Sequence, residues 1–393
     1  MDNTLLDIGL KTALQQPEWE DHAQVELVRQ ELAAHTPLVR AQDVRTLREA
    51  LARVALGEAK LVQAGDCAED PDESTARDVH RKAAVLDLVA GALKMITHKP
   101  VVRIGRLAGQ FAKPRSNPTE IIDGVELPVY RGHLVNGPEP DPASRRPDPL
   151  RMLTGYMAAC EINKHLGWYA DRRDGNDVLL EPPVWTSHEA LLLDYELPQV
   201  RQDGEGGRYL ASTHFPWIGE RTRQLDGAHV ALLAQVENPV ACKVGPSMSP
   251  EDVVTLCGIL DPRREPGRLT LIARMGADAA ADRLPPLVEA VRRAGHPVIW
   301  LTDPMHGNTV STPGGYKTRY LETVEREVRA FQFAVESAGG VAGGLHLETT
   351  PDDVTECVVN ASAADRVGDA YTSFCDPRLN PSQAISVVTA WQK

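Results

Sequence analysis

The residues best suited to chemistry follow short apolar runs, at positions where parallel strands would end. Asp66-Cys67-Ala68-Glu69 follow the first such run, Ser187-His188-Glu189 follow a later one, and Asp303 and His306 follow another. The other charged residues of this series are Arg103, Arg106, Glu220, Arg221, Lys243, Arg274, His346, Glu348 and, after the last run, Asp376. In a (β/α)8 barrel all strands end on the face that carries the active site. The pattern therefore predicts one site built from distant segments.

One subset of this series could hold a metal ion: Cys67, His306, Glu348 and Asp376. A thiolate, an imidazole and two carboxylates suit a divalent ion such as Mn²⁺, Co²⁺, Fe²⁺ or Zn²⁺. Their spacing along the chain carries no information, because they are spread over its whole length. Considered alone, Cys67 is more typical of a core residue, and His306 could simply cap a turn. The metal site is thus a hypothesis that depends on the barrel.

A second subset is cationic and consists of Arg106, Arg221, Lys243 and Arg274. Arginine donates two parallel hydrogen bonds to a carboxylate or phosphate, so four cations at four strand ends favour a small, densely anionic ligand. The alternative is that each cation pairs with a nearby acid. Lys113-Pro114-Arg115-Ser116 add a further anion-binding candidate, or else a solvated turn. They lie in a stretch, 113–150, whose length suggests a functional loop.

The elements that must position these residues alternate between strands and helices. Eight strand candidates lie at 61–66, 101–105, 184–188, 209–214, 240–244, 269–276, 297–303 and 343–348. Helices are predicted at 39–56, 75–95, 282–294, 317–337 and 351–360, and one after Ser249, an N-cap with Pro250 in the first turn. This order predicts an α/β fold, a (β/α)8 TIM barrel over 61–393 with a short helical N-terminal extension over 1–60. An open doubly wound sheet is the alternative.

Composition excludes several classes of function. The formal net charge of −13 argues against a nucleic-acid partner, which would require a basic face. No run approaches the roughly 18 apolar residues of a membrane helix, and the first residues do not resemble a signal peptide, so we expect a cytoplasmic protein. The six cysteines show no CxxC spacing, which predicts free thiols rather than a structural zinc site.

Long motifs in the chain are similar to those of a known family. They are GDCAE (65–69), RLAGQFAKPRS (106–116), TSHEALLLDYE (186–196), HFPWIGERTRQLDGAH (214–229), ARMGA (273–277), DPMHGNT (303–309), GGLHLE (343–348) and CDPRLNPSQ (375–383). From about residue 15 onward the chain resembles the type II 3-deoxy-D-arabino-heptulosonate 7-phosphate (DAHP) synthases. It is most similar to the short members found in phenazine biosynthetic clusters.

The resemblance implies a (β/α)8 barrel that condenses phosphoenolpyruvate with erythrose 4-phosphate and water to give DAHP and phosphate, the first step of the shikimate pathway. It implies a divalent cofactor, Mn²⁺ or Co²⁺, and a homodimer or homotetramer. By motif match, the metal ligands are Cys67, His306, Glu348 and Asp376. The phosphoenolpyruvate contacts are Arg106, Glu220, Arg221, Lys243 and Arg274, and the aldose phosphate contacts are Lys113, Arg115 and Ser116.

Three of these residues are the expected catalytic set: Lys243, Glu220 and Arg221. Lys243 would supply a proton to the developing alkoxide, and Glu220 is the first candidate for the base that deprotonates the attacking water. Cys67 would be a metal ligand rather than a nucleophile, and its oxidation with Cys375 would disable the metal site.

Two features set the chain apart from the longer family members. There is little room between Ser116 and Glu220 for the extra helices that bind aromatic amino acids, which predicts weak or absent feedback inhibition. His133 replaces the aspartate of a usual YRGD segment, which makes the aldose uncertain. The alternatives are condensation with an amino-sugar phosphate, a metal-dependent pyruvate aldolase, or a non-catalytic barrel that binds phosphoenolpyruvate.

Overall fold

Two of the described helices precede the first barrel strand, and one of them matches the helix predicted at 39–56. The computed structural model describes residues 8–122, 124–169 and 183–392. Helix α1 (His22–Ala34) begins where the Asp21 side chain accepts from the Gln24 amide, and α2 (Ala41–Ala55) places Leu47, Leu51 and Val54 on one buried face. Strand β1 (Lys60–Gly65) follows and is entirely buried.

Helices and strands, with three short hairpins among them, make up the remaining described elements. They are α3 (Ala76–Thr97), β2 (Val101–Arg106), β3 (Thr119–Ile122), β4 (Val125–Pro128), α4 (Arg151–His165), β5 (Trp185–Thr186), α5 (Leu193–Glu196), β6 (Val200–Gln202), β7 (Arg208–Leu210), β8 (Trp217–Ile218), α6 (Ala228–Ala234), β9 (Val240–Val244), α7 (Pro250–Leu260), β10 (Leu269–Ala273), α8 (Ala280–Arg293), β11 (Ile299–Thr302), β12 (Val310–Ser311), β13 (Lys317–Thr318), α9 (Leu321–Ser337), β14 (Val341–Glu348) and α10 (Pro381–Thr389).

Eight parallel strands form the central sheet, in the order β5-β2-β1-β14-β11-β10-β9-β8. The segment just after β5 is joined to β8 by backbone hydrogen bonds, since the Trp217 amide donates to the His188 carbonyl (3.1 Å) and the Ala190 amide to the Trp217 carbonyl (2.9 Å). With this seam closed, each strand neighbours those before and after it among the eight. The predicted (β/α)8 barrel is confirmed.

Side-chain parity decides what faces the barrel interior, because alternate residues of a strand point to opposite faces. An apolar layer inside the barrel contains Leu61, Ile104, Ile272 and Leu301 together with Leu51 of α2, so this helix closes the bottom of the barrel. Strand residues of the opposite parity pack outward into a second, larger core with the surrounding helices. Charged residues at the carboxyl ends of the strands, where they continue the inward-facing series, therefore point toward the open end of the barrel.

Two of the predicted elements are wrong. Residues 209–214 do not supply a barrel strand, because Arg208–Leu210 pair with β6 in a hairpin and the barrel strand is β8, beyond Pro216. Residues 351–360 are not helical, because their backbone pairs with other segments: the Val358 amide donates to the Arg319 carbonyl and the Thr355 amide to that of Ala370. The helix that follows β14 is α10 instead.

In the described ranges, no helix has the length and apolar character that crossing a bilayer requires. All six cysteines lie in these ranges and none forms a disulfide.

Candidate active site

A cavity of about 480 Å³ opens at the carboxyl ends of the barrel strands. Its acidic and basic lining residues are Lys113, Arg115, Glu120, Glu189, Glu220, Arg221, Lys243, Arg274, Lys317 and Asp376, and His306 lies among them. Most of the site residues predicted from the sequence are therefore brought together. Cations outnumber acids in this lining, so the cavity suits an anionic ligand although the whole chain is acidic.

The loop after β2 forms one wall of the cavity. The Arg221 guanidinium donates to the Ser116 hydroxyl at 2.7 Å, and this bond joins the KPRS loop to the segment after β8. Arg115 lies 3.5 Å from the Glu120 carboxylate, on the strand that follows. Lys113 is buried and its ammonium points toward Asp376, at 3.6 Å. Two of the predicted phosphate contacts thus border open space, whereas Lys113 faces the carboxylates.

A cluster of possible metal ligands lies beside Lys113. One ligand atom each from His306, Glu348 and Asp376 lies within 4.8 Å of the others. The His306 Nε2 is 3.2 Å from the Glu348 carboxylate. Burial alone would raise the pKa of Asp376, but the positive charges of Lys113, Arg319 and Lys317 together outweigh it and the pKa falls, so this carboxylate stays ionised. A nitrogen and two carboxylates fit a divalent cation.

Cys67 lies next to this cluster but is farther from its members than they are from one another. Cys67 follows the end of β1, and its sulfur accepts a hydrogen bond from the Asp376 amide at 3.4 Å. A hydrogen bond with Cys375 lowers the pKa of Cys67 to about 6, against the effect of burial. A thiol that ionises this readily fits the role of a fourth ligand.

Sequence reasoning assigned no role to two residues that hold this cluster. Asp303, directly after β11, binds both the Lys243 ammonium and the His306 Nδ1 (2.8 Å), which turns the other ring nitrogen toward Glu348. Arg319 is fully buried and donates to the second Glu348 oxygen at 2.8 Å. The motif DPMHGNT could have indicated Asp303, whereas nothing in the local sequence indicates Arg319.

Arg106 forms the floor below the cavity rather than part of its lining. It is buried and donates to the Asp66 carbonyl (2.9 Å), to the Glu348 carboxylate (3.0 Å) and to the His346 Nε2 (2.6 Å). Burial, with the charges of Lys243 and Arg106, lowers the pKa of His346 well below its usual value, so the ring is neutral. Its Nδ1 then donates to Gln63 at 2.7 Å.

Helix α9 connects two of the loops that carry site residues. The buried Glu327 carboxylate accepts the amides of Met275 (3.1 Å) and Gly276 (3.0 Å), beside Arg274, and the amide group of Asn308 (2.5 Å), beside His306. Burial raises the pKa of Glu327 to about 7. One side chain thus fixes the positions of a candidate anion contact and a candidate metal ligand.

His133 lies outside the cavity that holds the other candidates. Its Nδ1 is 2.6 Å from the Tyr130 hydroxyl, and its ring packs edge-on against Phe374. It borders a separate surface depression with Asp70 and Glu139. The replacement at this position is therefore not a direct change in the cavity lining.

Comparisons with known proteins agree with this geometry. The model of the class-II DAHP synthetase family matches residues 7–172 and 162–390. The chain belongs to the class-II DAHP synthetase family. A probable phospho-2-dehydro-3-deoxyheptonate aldolase of Pseudomonas fluorescens is 60% identical over 392 residues, covering 100% of this chain and 98% of the relative. A phospho-2-dehydro-3-deoxyheptonate aldolase of Streptomyces coelicolor is 41% identical, covering 95% and 93%.

A solved structure shares the fold. The phospho-2-dehydro-3-deoxyheptonate aldolase of Francisella tularensis superposes with a TM-score of 0.54 at 13% identity, covering 93% of this chain and 95% of that one. At this identity the likeness supports the barrel alone.

Proposed function

We propose that the chain catalyses the reaction of its family, the condensation of phosphoenolpyruvate, erythrose 4-phosphate and water to DAHP and phosphate. The observation that carries this proposal is one cavity in which a cationic lining meets a His/Glu/Asp cluster with a thiol beside it. The cationic lining suits two phosphorylated substrates, and the His/Glu/Asp cluster suits a metal ion that activates an aldehyde.

The cations bind and orient the substrates. Arg221, Lys243 and Arg274 would hold phosphoenolpyruvate, with Glu220 beside them and Arg106 supporting the floor. Arg115 and Ser116, with Lys113, would hold the aldose phosphate, so that C3 of the enol phosphate faces the aldehyde carbon. Fixing two reactants in this way removes much of the entropic part of the barrier.

The metal cluster defines where the aldehyde lies. His306, Glu348, Asp376 and Cys67 would hold a divalent ion, Mn²⁺ or Co²⁺, which when bound polarises the aldehyde oxygen. Lys243 supplies the proton that this oxygen takes as the C–C bond forms. Burial lowers the pKa of Lys243 to about 8, against the opposing charge of Asp303, which suits a proton donor near neutral pH.

The test is phosphate release by the purified protein with Mn²⁺, phosphoenolpyruvate and erythrose 4-phosphate. We expect release that requires both substrates and stops on addition of EDTA. The variant His306→Ala should lose this activity, whereas His80→Ala, which changes an exposed histidine on α3, should retain it. Metal-loaded protein that releases no phosphate would contradict the proposal.

Several finer expectations remain predictions. They are a cytoplasmic location, a homodimer or homotetramer, a place in a phenazine-type pathway, and little feedback inhibition by aromatic amino acids. Substitution of pyruvate for phosphoenolpyruvate, or of an amino-sugar phosphate for the aldose, tests the two alternative reactions in the same assay.

A further inference from the structure

Glu189 is an acidic residue of the cavity to which neither the motifs nor the metal cluster assign a task. The lining contains four acids, and three of them pair with cations: Glu120 with Arg145, Glu220 with Arg223 (2.7 Å), and Asp376 with Lys317 (3.0 Å). Within the described ranges Glu189 has no ion pair, and its buried Oε1 has no hydrogen-bond partner. Its carboxyl is thus free to act on a ligand.

The backbone around Glu189 fixes where this carboxyl points. Glu189 lies on the barrel seam, paired with Trp217 of β8, and its amide donates to the Gln110 side chain at 2.9 Å. Opposite the carboxyl is Gly219, where a Cβ atom would lie 2.0 Å from Oε1. The Glu189 carboxyl can occupy this part of the cavity wall because Gly219 has no side chain.

The surroundings allow this carboxyl to exchange a proton. Burial raises the pKa of Glu189, and this effect is partly offset by Lys113 of the β2 loop, Lys243 of β9, His306 of the β11 loop and Arg106 of β2. A buried carboxyl that faces the cavity and has no cation paired with it among the described residues is placed to accept a proton from a bound water. Glu220 also has a buried oxygen, Oε2, without a hydrogen-bond partner in the described part of the chain, but its Oε1 accepts a hydrogen bond from Arg223, so this carboxyl is already paired with a cation.

We propose that Glu189, rather than Glu220, is the catalytic base that takes the proton from the water that attacks C2. This inference rests on the proposed function. After the C–C bond has formed and Lys243 has protonated the new hydroxyl, the oxygen of water bonds to C2 and one of its protons passes to Glu189. The bond from C2 to the phosphate oxygen then breaks with its electrons on oxygen, C2 becomes the ketone, and the second water proton leaves with phosphate. The proton on Glu189 returns to Lys243 through solvent, so both residues are restored.

The experiment compares Glu189→Gln with Glu220→Gln in the metal-loaded, full-length protein. For Glu189→Gln we expect kcat to fall by about 10²- to 10⁴-fold. KM for phosphoenolpyruvate should change less than about threefold, because binding is not altered. The acidic limb of the kcat profile, which rises with pH as the base loses its proton, should disappear. Glu220→Gln should chiefly raise KM and keep the acidic limb.

Folding of the variant is checked by its thermal midpoint and by calorimetric titration with phosphoenolpyruvate, both of which should match the wild type. Glu189→Asp, which keeps the acid, should recover part of kcat. A kcat for Glu189→Gln close to that of the wild type, or an acidic limb that persists in it, overturns the assignment to Glu189. A wild-type protein that releases no phosphate overturns the proposed function as well, so the two failures are distinguishable.

Discussion

Gly219 is small for reasons of space rather than of backbone conformation. Its φ is −73°, which any residue adopts, but a Cβ there would collide with the Glu189 carboxyl. Adding a methyl group at this position therefore tests whether activity depends on the position of the Glu189 carboxyl, without removing any charged group from the cavity.

We expect Gly219→Ala to lower kcat about tenfold or more, because displacement of a catalytic group by 1 Å can cost up to 10²-fold. The thermal midpoint should change little in comparison, since the displaced carboxyl can move into the cavity. The control is Gly258→Ala in α7, where a Cβ meets nothing within 4 Å. Equal kcat values for the two variants would show that the Glu189 position is not critical.

Lys243 gives a prediction about pH. Its pKa is lowered to about 8, so the ammonium form that donates a proton is lost as the pH rises through that value. The profile of kcat/KM, which reports the free enzyme, should therefore decline above pH 8. Lys243→Gln should be much less active and lack this decline. A wild-type profile that is flat to pH 10 would exclude Lys243 as the proton donor.

At the level of elements, α9 serves the site although none of its residues lines the cavity. Glu327 on this helix binds the backbone beside Arg274 and the side chain of Asn308 beside His306. A substitution in the helix therefore reaches both the anion contacts and the metal ligands through the loops that carry them.

Removing this carboxylate should weaken both the fold and the metal site. For Glu327→Ala we expect a loss of roughly 1–3 kcal/mol in the free energy of unfolding, because buried amides lose their acceptor, together with weaker Mn²⁺ binding. Urea unfolding and a Mn²⁺ titration measure the two effects. Glu49→Ala, at an exposed position of α2, should change stability by less than about 0.5 kcal/mol. Unchanged Mn²⁺ binding in Glu327→Ala would limit its role to stability.

The sequence predicts the long elements of the barrel better than its short ones. Strands β1, β9, β10, β11 and β14 are buried apolar runs of four to eight residues, so they were located correctly. The seam strand β8 has two residues, too few for any periodicity, and the nearby 209–214 run gave a stronger but misleading signal. The segment 351–360 has an apolar pattern typical of a helix, but contacts with distant residues determine its structure.

The site was predictable to the extent that its residues follow strands. Lys243, Arg274, His306 and Glu348 follow apolar runs, and the barrel brings such positions together. Arg319 and Glu327 act from a loop and a helix, and only the folded structure shows their bonds to Glu348 and to the site loops. The alternation of residues along β2 places Arg106 on the inward face, but it does not indicate that the side chain is buried beneath the cavity.

For the molecule as a whole, a buried ion network joins the C-terminal segment to the first barrel strand. Arg378 binds Asp66 (2.8 Å), just after β1, and Glu356 (2.9 Å), and Lys82 of α3 binds the second Asp66 oxygen at 2.8 Å. Burial would raise the pKa of Asp66, but Lys82 and Arg378 outweigh it and the pKa falls. The pKa of Asp66 is therefore lower in the folded protein than in the unfolded chain. Its ionised form stabilises the fold fully at pH values above the ordinary aspartate pKa. This stabilisation is lost as the pH falls below that value toward the folded-state pKa.

Breaking the network should destabilise the barrel strongly. For Arg378→Met we expect a loss of about 3–5 kcal/mol, because two buried carboxylates lose their partner, and acid unfolding should begin at a higher pH. Circular dichroism during urea and acid titrations measures both. Arg366→Met, which removes an exposed arginine 3.6 Å from Asp369, should change little. Similar curves for the two variants would show that the network is not required for stability.

The cation-rich lining of the cavity also has a consequence for turnover. The groups that attract two phosphorylated substrates should also attract the two anionic products, since inorganic phosphate and DAHP both carry phosphate groups. Bound products must leave before the next pair of substrates can enter, so accumulation of either product should slow turnover. Added phosphate should compete with phosphoenolpyruvate, and higher ionic strength, by screening the exposed part of this attraction, should slow capture while it hastens release.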